Sequence, residues 1–375
     1  MSVPWTPRQR WAVRLNMNTP PRRAWDLLEN LGPEGLPNSS DVDWARVSAA
    51  KLEDVAGWRR AALSFDAAAE ELRAVELGAR LILRGDPDYP DLLASIYDPP
   101  LVLYVQGKLG RGFRPPVAFV GTRVPTPYGR RMTRRLAGDA SRRGLTIVSG
   151  LARGIDAEAH LAALDAQGPT WAVLGTGLGH VYPAENRSLA RDIVAAGGAV
   201  ISERPLDTRP MPELFPRRNR IVAGLSWAVV VVEGRHKSGS LITARLAAEY
   251  GREVLAVPGP ADSVMSEAPH RLIADGAKMG AQVEDILSVL PEGLDFGPAP
   301  DAVRAPLQPA AMQAPPTEEE AAVMALLGAD ALSLDELVQL SGLDTTRISS
   351  IMFGLEIKER VTSVPGQRYA QKEAR

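Results

Sequence analysis

The sequence predicts an α/β protein in which an extended Rossmann-like parallel sheet follows a small helical (SAM-like) domain and precedes a winged-helix domain. Three observations carry this. Five of the seven tryptophans fall before residue 80, among apolar residues at helical spacing. Between about residues 114 and 290, six short apolar runs stop at small or polar residues, and helical stretches separate them. Seven prolines between 291 and 317 then set off a short helical tail. The expected boundaries are 1–80 for the helical module, 81–290 for the sheet domain, 291–317 for a linker and 318–375 for the winged helix.

In the first region Trp25, Leu28 and Leu31 recur at helical spacing, as do Leu52, Val55 and Trp58, and Gly and Pro punctuate residues 31–37. The segment LEDVAGWRRAAL admits two readings: a helix-hairpin-helix element turning at Gly57, or a packing module. The second region contains VAFVG, LTIVSG, WAVLGTG, AVISE, WAVVVVEG and EVLAVPG, separated by stretches such as RRMTRRLAGDASRRG and ITARLAAEYG. Continuous apolar strands alternating with helices imply a parallel sheet covered on both faces, joined by right-handed crossovers. In the tail, TEEEAAVMALLG starts with Thr317 as N-cap and acids in the first turn. Two more helical patterns follow, then two short strands around Pro365–Gly366.

The 375 residues are 45% hydrophobic and 23% charged, an ordinary globular composition with length for more than one core. Lys plus Arg is 43 and Asp plus Glu is 45, a net of −2. This excludes a uniformly polybasic protein and leaves room for a local basic surface. The absence of cysteine excludes disulfides, thiolate nucleophiles and cysteine zinc sites. His160, His180, His236 and His270 are scattered, so no histidine metal cluster is expected. Arginines interrupt the N-terminus, and the longest strongly apolar run, 228–232, is far too short to span a bilayer. A cytoplasmic protein with no metal, cofactor or membrane partner is expected.

In an open parallel sheet, ligands bind beyond the carboxyl ends of the strands. The polar, Gly-rich segments sit there in succession: Gly121-Thr122-Arg123, then Ser149-Gly150 leading to Arg153 and Asp156, then GTGLGHVYPAEN ending at Arg187. Next come Arg217, Arg218, Asn219 and Arg220, and finally Lys237-Ser238-Gly239-Ser240 opening a helix. Glycines let amide groups approach a ligand, and helix N-termini and arginine forks attract phosphate. Residues 114–144 add eight arginines against one acid, readable as anion-binding or as a solvated helix face.

Those phosphates belong either to a nucleotide or to a nucleic acid. GTGLGH has the wrong spacing for a dinucleotide fingerprint, and GRHKSGS does not supply a P-loop. Asp156 and His160 lie four apart on one helix and are either a hydrogen-bonded catalytic pair or a helix N-terminal Asp with a His packed behind it. Aromatics are only 5%, which leaves few stacking groups for single strands; Phe215, Tyr182, Tyr128 and His180 are the candidates near the rim.

Taken together, DPDYPDLLASIYDPPLVLYVQG, VAFVGTRVPTPYG, VSGLARGIDAEAH, VLGTGLGHVYPAEN, ISERP, FPRRNRIVAGLS, KSGSLITARLAAEYGREVLAVPG and HRLIADGAK make the chain resemble the DprA (Smf) family of bacterial DNA-processing proteins. The resemblance implies a non-enzymatic, dimeric protein that binds single-stranded DNA during natural transformation, protects it and loads the RecA recombinase. Carried over by motif, Arg123, Ser149, Gly150, Arg187, Arg218, Arg220, Lys237, Ser238, Gly239 and Ser240 would contact the DNA, with Asn219 orienting the rim or touching the DNA itself. Self-association would involve the region around Val264 to Met279. The rival reading is a nucleotide-processing enzyme of similar fold, but its P-G-G-x-G-T-x-x-E signature is missing; Pro258-Gly259-Pro260-Ala261-Asp262 stands in its place. The chain from Phe296 onward has 11 acids and 7 bases. Its third helix offers Arg347 and little else, so a protein-contact or weak DNA-contact role is expected there.

Overall fold

The apolar runs are continuous because both faces of the strands they form are buried. The computed structural model describes residues 4–110, 114–296, 317–327, 332–357, 360–364 and 368–371. They fall into two units divided between Asp301 and Ala302. Residues 297–316 of the expected 291–317 linker, and the expected turn at Pro365–Gly366, lie outside the described residues.

In the first unit a nine-stranded sheet runs β1 (Arg80–Leu83), β2 (Val102–Gly107), β6 (Ala199–Ser202), β5 (Thr170–Val173), β4 (Thr146–Ser149), β3 (Pro116–Val120), β7 (Ala228–Val231), β8 (Glu253–Ala256) and β9 (Lys278–Met279) in spatial order. The strands from β3 to β9 are parallel, as in the register Val117 to Ile147 on one side and Val117 to Ala228 on the other. The first two strands are antiparallel, joined to β6 through Val105 opposite Ile201. All six expected strands are present; the antiparallel pair and β9 are additions.

Five helices precede the sheet: α1 (Pro7–Leu15), α2 (Pro21–Gly35), α3 (Asp41–Ser48), α4 (Leu52–Ser64) and α5 (Ala67–Glu76). Then α6 (Asp91–Ala94) lies between β1 and β2, and α7 (Pro127–Arg142), α8 (Ile155–Asp165), α9 (Arg187–Ala195), α10 (Leu214–Gly224), α11 (Ser240–Glu249), α12 (Glu267–Ala274) and α13 (Val283–Leu287) follow. Successive side chains of a strand point to opposite faces. Val117 and Phe119 therefore join Leu136, Ala137 and Ala140 of α7 and Ile155 and Ala159 of α8. Ala118 and Val120 join Ile221 and Val222 of α10 and Ala244 and Ala247 of α11.

The N-terminal helices share one apolar cluster with the sheet: Leu15, Leu28 and Trp44 with Val102, Tyr104, Leu189 and Ile193. Asn16 Nδ2 donates to the Glu203 carbonyl at 2.6 Å, and the Leu206 amide donates to Glu70 at 2.8 Å. Helix α4 runs unbroken through Gly57, so the helix-hairpin-helix reading gives way to the packing module. The break instead falls at Gly32, whose φ of 65° kinks α2 just before Pro33.

The second unit contains α14 (Glu318–Leu326), β10 (Leu332–Ser333), α15 (Leu334–Ser341), α16 (Thr345–Ile357), β11 (Val361–Val364) and β12 (Arg368–Gln371), with an antiparallel sheet in the order β10-β12-β11. Thr317 and Ser333 each close a capping box, with Glu320 and Glu336 respectively. Val323, Leu337, Ile348 and Leu355 form the core. This is the winged-helix arrangement the pattern implied.

Asp156 and His160 do not form a pair. The His160 ring is fully buried with Nδ1 2.7 Å from Thr170 Oγ1, whose own proton goes to the Ile147 carbonyl at 2.7 Å. The Nδ1–H therefore donates, and Nε2 is buried without a partner. Burial, with repulsion from Arg218, drives the imidazole pKa down to about 3. Between that value and the ordinary 6.5, the unfolded chain takes a proton here that the folded chain refuses. The stability tied to neutral His160 is complete above that window and lost as pH falls through it. The melting temperature of the wild type should therefore drop more between pH 7 and pH 4 than that of His160→Leu; parallel drops would refute the assignment.

Candidate nucleic-acid interface

The chain leaves β3 on one side to build β4, β5 and β6, and returns to the other side to build β7 and β8. Loops that follow β3 and β7 therefore diverge, and a crevice opens between them at the carboxyl edge of the sheet. It has a volume of about 660 Å³.

Cations line this crevice. Arg123 follows β3, and Arg235 and Lys237 follow β7; all three are exposed, and among the described residues none is ion-paired. The Arg123 guanidinium lies 5.8 Å from the centroid of the Phe215 ring. Phe215 lies 5.5 Å from Tyr182, which is 37% exposed. The crevice thus combines unpaired positive charge with a tilted aromatic pair, two of the four rings named from the sequence. Asn219, Ser238 and Gly239 also line it. The helix terminus after Lys237 is less open than expected: the Ser240 amide donates to Ser238 Oγ at 3.3 Å, and those of Leu241 and Ile242 to the carbonyls of Ser238 and Gly239 at 3.1 Å each. Among the described residues the Lys237 and Gly239 amides carry no hydrogen bond, so the loop before α11, not the helix itself, presents donors.

Several expected contacts have other roles. Arg218 is only 6% exposed, and its guanidinium donates to the carbonyls of Gly150, at 2.5 Å, and Val173. It forms part of the crevice floor, with no outward fork. Burial lowers its pKa to about 10, opposed by the Asp156 carboxylate and assisted by Arg123. Gly150 is the cradle for this side chain: a Cβ there would sit 2.4 Å from the guanidinium. Its amide is taken by Asp156, at 3.1 Å. Burial raises the Asp156 pKa, while Arg218 and the Gly150 and Ala152 amides counter that rise. Ser149 is fully buried and donates to the Phe119 carbonyl at 2.6 Å. Gly154, at φ +74°, lets its loop approach the first: a Cβ would fall 2.4 Å from the Thr122 carbonyl oxygen.

Arg220 points away from the crevice into an ion pair with Glu203 and a second, at 3.6 Å, with Asp98; its side chain is 11% exposed. Arg187 lines a different groove. Arg153 holds Glu185 with two hydrogen bonds, at 2.6 and 2.7 Å. The arginine-rich stretch is largely engaged too: Arg130 and Arg134 meet Glu158, Arg142 meets Asp139 and Arg143 meets Glu284. Arg235 was missed by the sequence reading, although it stands two residues before Lys237 in the same loop.

These roles separate by stability. Arg218→Ala removes the hydrogen bonds to the Gly150 and Val173 carbonyls and leaves buried Asp156 without its cation, so it should destabilise the fold by about 2–4 kcal/mol. Arg123→Ala should leave denaturant unfolding within about 0.5 kcal/mol of wild type. Urea melts of the two variants check this; equal destabilisation would contradict the assignment.

Comparison with known proteins agrees with this architecture. Residues 80–291 match the family profile of DNA recombination-mediator protein A, and residues 307–367 match the DprA winged helix domain. The chain is 40% identical over 283 residues to protein Smf of Escherichia coli, covering 74% of each chain. It is 46% identical over 220 residues to DNA processing protein DprA of Bacillus subtilis, covering 58% of this chain and 73% of that one. The solved DNA processing protein A of Streptococcus pneumoniae superposes with a TM-score of 0.65 at 32% identity, over 77% of this chain and 99% of that one. That of Helicobacter pylori, solved for its single-stranded DNA binding mode, gives 0.50 at 29% identity, over 56% and 94%. With the profile match covering more than half its length and both of that family's domains in place, the chain belongs to the DNA recombination-mediator protein A (DprA/Smf) family.

Proposed function

We propose that the crevice binds single-stranded DNA by its sugar–phosphate backbone, without catalysis. The protein then protects an incoming strand in the cytoplasm and loads RecA onto it during natural transformation and recombination. The observation that carries this reading is the meeting of unpaired Arg123, Arg235 and Lys237 with Phe215 and Tyr182 in one crevice. The single-stranded DNA binding of the H. pylori relative supports it. Phosphates meet Arg123, Lys237 and the Ser238–Gly239 turn, Asn219 orients the crevice wall, and a base lies against the Phe215–Tyr182 pair. Backbone contacts carry little sequence information, so preference among oligonucleotides is weak.

Self-association through the later part of the sheet domain belongs to the same proposal. A concavity of about 820 Å³ runs along α11, β8 and α12 at the β9 edge. Three of its four cations are ion-paired, Arg245 with Glu249 at 3.4 Å, Arg271 with Asp275 at 3.6 Å and Lys278 with Glu253 at 3.7 Å, and the fourth, Arg252, donates to the Leu92 carbonyl and Ser95. Between them lie Ala248, Leu272 and Ala277, and Val264 and Met279 nearby are each 55% exposed. An apolar surface whose cations are mostly paired within it suits a second copy of itself.

In the C-terminal unit Arg347 is held by Glu319 at 2.6 Å and Arg368 by Glu336 at 3.0 Å. This supports a protein-contact role for the winged helix, since Arg347, the basic group of its third helix, is already engaged, as is Arg368 on β12.

Two measurements test the proposal. Oligonucleotide affinity should fall steeply with salt, and Arg123→Ala or Lys237→Ala should each reduce the slope of log affinity against log salt by about 0.7 on every unrelated sequence. Phe215→Ala should weaken binding by about 1–3 kcal/mol. Salt-independent binding, or none, would exclude the crevice as a DNA site. Separately, Ala248→Arg with Met279→Lys should convert a dimer to a monomer in light scattering; an unchanged mass would place the interface elsewhere.

A further inference from the structure

A second cleft, of about 630 Å³, lies between the end of α5, the end of β2 and the outer side of α9. Its lining is aliphatic, with Leu77, Leu178, Val181 and Val194, and carries Arg187 and Arg191. These two arginines are four residues apart on α9 and so share one face. Both are exposed, and among the described residues neither is ion-paired. The other two concavities differ from it in chemistry. The proposed DNA crevice has cations and aromatic rings, and the edge concavity has aliphatic groups with mostly paired charges. This groove has aliphatic groups with uncompensated positive charge and no aromatic side chain in its lining. A single strand would find phosphate partners here but no ring for its bases. A second copy meeting this surface would need to bring acids of its own.

We propose that this groove docks a short acidic segment of a partner protein, seating aliphatic side chains on Leu178, Val181 and Val194 and carboxylates on Arg187 and Arg191. Guanidinium forks match carboxylates two bonds at a time, and the apolar lining removes water from around them. The site is independent of the DNA crevice, and Arg187 finds its role here.

The full chain and a fluorescein-labelled peptide of aspartate pairs separated by leucines test this by anisotropy. A matched peptide with serine for aspartate, and a labelled oligonucleotide, serve as comparisons. The acidic peptide should bind saturably and the serine peptide should not. Arg191→Glu should weaken peptide binding about thirtyfold or more while leaving oligonucleotide affinity within about twofold. Val194→Arg separates the possible occupants, because it adds positive charge yet fills the apolar floor. Weaker peptide binding with unchanged oligonucleotide binding supports docking. Tighter oligonucleotide binding in Val194→Arg, together with weaker oligonucleotide binding in Arg191→Glu, would make the groove a nucleic-acid track and overturn the proposal. So would failure of the acidic peptide to bind the wild-type chain.

Discussion

One buried cation holds the working edge of the sheet together. Arg218 reaches from α10 across the ends of β4 and β5 and ties the Gly150 and Val173 carbonyls to a single guanidinium, with Asp156 as counter-charge. Neither ion would be tolerable alone in that setting, because desolvating a single charge costs several kcal/mol. The pair is acceptable because Asp156 also receives two amides and Arg218 two carbonyls. The result is a stiff floor from which the exposed groups rise. The cations proposed to meet DNA sit on the loops above it, where a backbone of varying shape can be followed without disturbing the core.

The strands were legible because a parallel sheet buried on both faces must be apolar without interruption, as in VAFVG and AVVVV. The antiparallel pair was harder. RLIL and VLYVQG are separated by a loop and a single turn of helix, so no alternation of strand and full helix marks them. The two-residue β9 carries no periodicity at all. The loop order around the rim was also readable, since each Gly-rich segment follows its strand. What the sequence could not convey was direction. Arg217, Arg218, Asn219 and Arg220 stand consecutively on α10, and each step along a helix rotates the side chain by about 100°. They cannot all face one ligand. Arg218 turns into the core, Arg220 turns to Glu203 and Asp98, and Asn219 faces the crevice. The same helical geometry applied beforehand would have divided them.

Charge counts mislead for a related reason. Residues 114–144 hold a large local excess of arginine, yet Glu158 and Glu284 come from elsewhere in the chain to meet it. Each exposed pair contributes little to stability. Together, though, they engage four of the eight arginines and reduce the excess charge of that face. The cations that, among the described residues, lack an ion pair in the crevice and the α9 groove have sequence neighbourhoods, GTR, GRHK and NRSLAR, that do not stand out among the chain's many arginines. Function follows from which charges lack a partner, and that depends on long-range contacts invisible to a window of sequence.

The scarcity of aromatic residues bears on the same point. A binder that stacks a base at every step needs a row of rings, and this crevice presents one tilted pair with a guanidinium over it. In the proposed binding mode affinity comes mainly from phosphates, with stacking confined to about one base. Such a proposed grip is loose with respect to sequence. It is also local, since most bases along the strand stay uncovered. In the proposed binding mode the bases remain available for pairing, and the strand is held by contacts that can be exchanged one phosphate at a time.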